Sequence, residues 1–230
     1  MLNFHDVHLP GPGKRSTFNG LSFQLGLRRA IVLAERDELT SAFVNLVIGA
    51  RKTPSGSVKL TGRPSWPIGQ SIIVQSSLTG RETIRFFSDL YNLEYRACVQ
   101  DATRWFGAPL LARRMNTWTS AERIKFERLA ALWPDFDIFI VHGAGLTGDA
   151  EFDAEWLTRF QEKLVGRGLL AVVPPMEPWS WMCDITVLLR SNEIICFHDL
   201  ADALLAAKPA ETGELIEEPT RPEPSDDEIF

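Results

Sequence analysis

PDFDIFIVHGAGLTGDAEF, residues 134–152, is the stretch whose reading decides the fold. Ile138-Phe139-Ile140-Val141 is a short unbroken apolar run suited to a buried strand, and Gly148-Asp149 follows in a tight loop. Outward from it, helical spacing covers roughly 150–165 and a further strand is expected at 168–173. Strands near 185–189 and 193–197 and a short helix over about 199–207 complete the chain in that direction.

Toward the N-terminus, 4–8 and 21–25 alternate as two antiparallel strands joined by a Gly/Pro loop. Ala30-Ile31-Val32-Leu33 reads as a buried strand, followed by a polar turn and a helix from Ser41 to Ile48, which Gly49 ends. Residues 54–62 read as turn, short strand, turn. Helical spacing marks 81–92, 96–107 and 119–132. Strands alternating with helices imply an α/β fold with a largely parallel sheet and an antiparallel β portion at the start.

The length of 230 residues and 45% hydrophobic content fit one folded α/β domain. No apolar run approaches the roughly 18–20 residues that span a bilayer. The N-terminus lacks the order of a signal peptide, so cytoplasmic residence is expected. Cys98, Cys183 and Cys196 lack CxxC spacing and read as reduced thiols. The net charge of −6 belongs to one end: 208–230 holds eight of the 30 acids and two of the 24 basic residues. The remainder, 22 against 22, is neutral and gives no electrostatic case for nucleic acid as a partner. The segment 208–230 is Pro/Glu-rich with few large apolar residues and is expected to be a disordered acidic tail on a domain spanning 1–207.

Ser65-Trp66-Pro67-Ile68-Gly69, Gln75, Ser77-Leu78-Thr79-Gly80-Arg81-Glu82, Phe86 and Leu90-Tyr91-Asn92 form a string with high specificity. With Pro54-Ser55-Gly56-Ser57-Val58 before it, and Asp135-Phe136-Asp137, Gly148-Asp149-Ala150 and Cys183-Asp184 after it, this resembles the ATP-binding subunits of ABC-type capsular polysaccharide exporters. The resemblance covers almost all of 1–207. It implies a P-loop NTPase-like ABC nucleotide-binding domain with a helical subdomain over about 78–133. The implied partners are a membrane subunit of a polysaccharide exporter and a second ATP-binding subunit, in a homodimer or with a competent paralogue. The implied location is cytoplasmic, peripheral at the inner face of the cell membrane.

The catalytic motifs depart from that family together. A phosphate-binding loop needs glycines for close backbone approach, a Lys for the phosphates and a Ser/Thr for Mg²⁺. The matching segment is Ala34-Glu35-Arg36-Asp37-Glu38-Leu39-Thr40-Ser41, with no glycine and with Thr40 in the place of the Lys. Asp37 and Glu38 are expected to turn negative charge toward the site, and Ser41 alone is kept. Gly11-Pro12-Gly13-Lys14 is no substitute, because it precedes the strand that should lead into the loop.

The signature motif becomes Trp118-Thr119-Ser120-Ala121-Glu122, where Thr119 keeps a hydroxyl and Glu122 adds like charge. The strand that ends in Asp-Glu in the family ends here in His142-Gly143, which supply neither a hard oxygen ligand for Mg²⁺ nor a group to orient water. The switch histidine maps to Pro174-Pro175-Met176. Phosphoryl transfer is mostly positioning and electrostatic stabilisation, so these losses remove nearly every contribution.

Gln75, Ser41, Thr40, Thr119 and Asp149 remain as vestigial cofactor-binding positions. No catalytic residue, metal site or cofactor is expected, beyond a weak affinity for ATP/Mg. The leading expectation is a non-hydrolysing homologue with an accessory, assembly or regulatory role. A divergent subunit that still binds and hydrolyses ATP is one alternative. The other is a repurposed protein-interaction domain, for which Trp179-Ser180-Trp181 is a candidate surface.

Overall fold

A computed structural model describes residues 1–11, 16–26, 28–70, 77–143, 146–173 and 178–207. Gln75, residues 174–177, most of the Gly11–Lys14 turn and the acidic segment 208–230 lie outside the described residues.

The chain opens with β1 (Leu2–Pro10) and β2 (Ser16–Leu25), which pair antiparallel in the register Leu2↔Leu25, Phe4↔Phe23, Val7↔Leu21. β4 (Ser55–Leu60) joins the other edge of β1, so this sheet runs β2-β1-β4. The register slips after His5, beside Asp6 at φ 48°. There Gly56 is obligatory: it sits at φ +79°, and a Cβ would lie 2.1 Å from the Asp6 carbonyl oxygen.

The main sheet runs β5-β6-β7-β3-β8-β9. Its strands are β3 (Arg29–Ala34), β5 (Pro64–Ile68), β6 (Ile138–His142), β7 (Gly168–Val172), β8 (Ile185–Leu189) and β9 (Ile194–Phe197). All pairs are parallel except β8–β9. Both faces are covered, which explains the unbroken apolar runs. Ile31, Phe139, Val141, Leu169 and Ala171 enter one core. Their alternate neighbours Ala30, Val32, Ile138, Ile140, Leu170 and Val172 enter the other, against α1 (Asp37–Val47) and the N-terminal sheet.

The first core continues into a helical region of α2 (Gly80–Tyr91), α3 (Tyr95–Leu111), a 3₁₀ turn at Met115–Thr117 and α4 (Ser120–Ala131). Gly107, at φ 68° and ψ 155°, breaks α3 where helical spacing in the sequence stops. α5 (Ala150–Lys163), α6 (Trp179–Met182) and α7 (Leu200–Ala207) complete the order. Trp179 is buried near Trp156 and Phe160, so of the Trp179-Ser180-Trp181 surface suggested by sequence only Trp181 is strongly exposed among the tryptophans. Among the described residues, no helix is long and apolar enough to cross a membrane.

Candidate functional site

A parallel sheet leaves a crevice beyond the carboxyl ends of its strands, where ligands of α/β folds commonly bind. Here it is a cleft of about 420 Å³, lined by Val32, Leu33 and Ala34 of β3, by Asp37, Thr40 and Ser41 of α1, and by the exits of β6 and β7. Those exits are His142-Gly143 and Val172-Val173. The first turn of α1 begins at Asp37, four residues before the expected start at Ser41. Carboxylates at a helix N-terminus are favoured by the helix dipole, and Asp37 and Glu38 both occupy that turn.

The acids of this loop do not share one fate. Glu35 pairs with Arg190 Nε at 2.7 Å, and Glu38 with Arg36 Nη1 at 3.6 Å. Glu38 does not line the cleft, which corrects the expectation that both neighbouring acids face it. Asp37 does line it and has no ion-pair partner among the described residues. A phosphate charge about 4 Å from that carboxylate would be disfavoured by about 4 kcal/mol at an effective dielectric of 20. Moreover, the helix end that a phosphate would use already faces its own acids.

Thr40 Oγ donates to the Asp37 carbonyl at 2.6 Å, which leaves its lone pairs available to accept. Across the cleft, Gln70 Nε2 lies 2.6 Å from His142 Nδ1. An amide nitrogen can only donate, so Nδ1 accepts and the imidazole carries its proton on Nε2. Burial lowers the His142 pKa and favours that neutral form. Gln70 touches the lining residue His142 without lining the cleft itself, and the sequence did not reveal it, being 72 positions from its partner. Gly143, at φ 68°, donates its N–H to the Val172 carbonyl and carries the chain away from β6. No Lys or Arg is found among the described residues that line the cleft, and no described cluster of three metal-ligating side chains exists.

The other sequence-selected positions separate from this cleft. Thr119 is the N-cap of α4: its Oγ accepts from Glu122 N at 3.2 Å, and Glu122 Oε2 accepts from Thr119 N at 2.7 Å. The Glu122 carboxylate, read from sequence as added negative charge, thus closes a capping box and also accepts from Thr119 Oγ at 2.9 Å. Asp149 is the N-cap of α5, accepting from Phe152 N at 3.1 Å and pairing with Lys125 of α4. These bonds hold the Asp149 carboxyl below the usual carboxylate range, Lys125 contributing most. Next to it, Asp153 is buried against Arg128 at 3.6 Å and accepts from Thr147 N, Thr147 Oγ and Gly148 N. Of the five vestigial positions, Thr40 and Ser41 therefore meet in the cleft, Thr119 and Asp149 cap helices, and Gln75 lies outside the described residues.

No family model matches the chain. It is 24% identical over 199 residues to the capsule polysaccharide export ATP-binding protein CtrD of Neisseria meningitidis serogroup B, covering 85% of this chain and 92% of that one. It is 22% identical over 196 residues to the polysialic acid transport ATP-binding protein KpsT of Escherichia coli, covering 81% and 85%. A solved ATP-binding subunit of an ABC transporter superposes with a TM-score of 0.73 at 16% identity, covering 91% of this chain and 95% of that one. Homologues of this chain are thus capsule polysaccharide export ATP-binding proteins, and its fold is the P-loop NTPase-like fold of an ABC ATP-binding domain.

Proposed function

We propose that this protein is an ABC-type subunit homologue that neither hydrolyses ATP nor holds it firmly, and that serves polysaccharide export in an accessory, assembly or regulatory role. The observation that carries this reading is the cleft itself, where Asp37, Thr40 and Ser41 meet His142-Gly143 with no cation among the described lining residues. A triphosphate and its Mg²⁺ need concentrated positive charge and hard oxygen ligands. This cleft offers a carboxylate, two hydroxyls and a neutral imidazole.

Support for the export context comes from the relatives, which are capsule polysaccharide export and polysialic acid transport ATP-binding proteins. On that basis the partner is a membrane subunit of a polysaccharide exporter, and the position is peripheral, at the cytoplasmic face of the membrane. A homodimer or a pair with a competent paralogue is the remaining partner. The paralogue pair has a geometric difficulty, since each composite site in such a dimer takes its loop from one subunit and its signature from the other. This chain would impair both, through Ala34–Ser41 and through Thr119–Glu122. An assembly or regulatory role fits that arrangement better than half of a motor.

Co-purification with the exporter membrane subunit, together with phosphate release at saturating Mg-ATP, tests the reading. The expected result is capture without turnover. Turnover lost in Ser41→Ala would instead establish a divergent ATPase.

A further inference from the structure

The helical region leaves the main sheet after β5 and returns to it at β6, so two connections carry 80–131. A unit joined in that way shifts against its neighbour by default, unless the interface between them is extensive and apolar. Here α5, which lies between β6 and β7 in the chain, meets that region from one end to the other. Five of its charged positions each take a partner of opposite sign there or in the return connection. At its start Asp149 pairs with Lys125, and Asp153 lies 3.6 Å from Arg128, both partners on α4. Glu155 then accepts from both terminal nitrogens of Arg104 at 2.9 and 2.6 Å. Arg159 donates in the same forked way to Asp101 at 2.9 and 2.8 Å, and both of these partners are on α3. Lys163 meets Asp135 of the return connection at 3.0 Å.

Along α5 the acids come first and the bases last, the order that its dipole favours. Isolated exposed ion pairs contribute little, but forked arginine–carboxylate pairs and networks are the exception. Asp101 also accepts from Trp133 Nε1 at 2.9 Å, and Asp135 also pairs with Arg167 at 3.0 Å, so the return connection is held at two points. Between the charges the interface is apolar. Trp105 meets Phe152 with ring centroids 5.1 Å apart, and Trp156 is buried, its Nε1 donating to the Arg128 carbonyl at 2.8 Å. Asp153 carries the contact on toward the cleft, because it accepts from Thr147 N, Thr147 Oγ and Gly148 N in the loop after β6.

We propose that this array is a clamp that fixes α3 and α4 to α5, so that the helical region and the main sheet move as one body at an angle that nucleotide does not change. Resting on the proposed function, this makes the chain a static scaffold in assembly rather than a switch.

The test is the distance between two spin labels on the full chain, read by pulsed electron paramagnetic resonance. One label sits on native Cys196 of β9 and one on Gln100→Cys of α3, both exposed, with Cys183→Ala removing the half-buried thiol. A single narrow distribution, unchanged by millimolar Mg-ATP, is expected. Asp101→Asn, which takes the charge from the Arg159 fork, is expected to widen or split it. Arg104→Gln combined with Asp149→Asn should widen it too, and this pair decides the matter if Asp101→Asn fails to fold. It alters groups near the surface and keeps a good N-cap residue at position 149. A broad or double distribution in the unaltered clamp, or one that shifts with Mg-ATP, overturns the inference. So does a narrow one that neither variant widens. Phosphate release by the unlabelled protein is a separate arm: turnover overturns the proposed function whatever the width of the distance distribution.

Discussion

The cleft and the helical region 80–131 have the same fold context and opposite upkeep. In the helical region, two helices start on complete capping boxes, Thr79 with Glu82 and Thr119 with Glu122. Its core is an unbroken chain of rings, with Phe126 meeting Phe106, Trp118 and Trp133 within 6.0 Å. At the cleft, by contrast, the polar groups serve no described fold-holding network beyond Thr40 to its own helix turn and Gln70 to His142. A fold can keep the contacts that stabilise it while losing those that only a substrate would reward. The difference therefore marks where the demands on this chain remain structural.

That contrast can be broken at its strong end first. Phe126 is fully buried, and Phe126→Ala is expected to lower stability by about 3–5 kcal/mol in urea unfolding. A loss under about 1 kcal/mol would mean that the ring network does not carry the region. Gly80 is next: a Cβ there would sit 2.8 Å from Trp118 Cζ2 and 3.1 Å from the Leu111 Cα. Gly80→Ala should cost about 1–3 kcal/mol by the same assay, because the backbone contact cannot yield as a side-chain tip could. Thr119→Ala removes one capping interaction and should cost about 1 kcal/mol.

At the cleft the expected effect is smaller and depends on pH. His142 has a folded pKa below its ordinary 6.5 because burial disfavours the cation. The unfolded chain therefore binds a proton more readily, and stability contributed by neutral His142 is full above about pH 6.5 and declines as pH falls toward the folded value. His142→Gln should flatten that part of the urea-midpoint profile between neutral and mildly acidic pH. An unchanged profile would place the titration on another group.

Much of this organisation is legible in the sequence where periodicity is the determining physics. The apolar run at Ile138–Val141, the end of helical spacing near Gly107 and the alternation over the first strands all emerge in the fold. β5 is not legible from periodicity, since Pro64 and Pro67 argue against a strand. Its edge position tolerates them, and Ser65 Oγ accepts the Ile140 N–H at 2.9 Å where the register shifts. The early start of α1 was hidden because Asp37-Glu38 reads as charge in a loop until the helix dipole is considered.

The site was legible as a set of missing groups and much less as a set of present ones. Which acid faces the cleft depends on where Arg36 and Arg190 reach, and the His142 partner depends on strand order rather than spacing. The same holds for Asp149, whose partner Lys125 is brought to it by the packing of α4 against α5.

The most direct test of the central claim is equilibrium binding of ATP to the purified full chain, with and without Mg²⁺, read together by nucleotide retention and thermal unfolding. No retained nucleotide and no change in unfolding temperature at millimolar ATP is the predicted result. Ligand at 100 times its Kd would add about 2.7 kcal/mol of stability. A Mg-dependent stabilisation of that order, abolished by Ser41→Ala, would contradict the account.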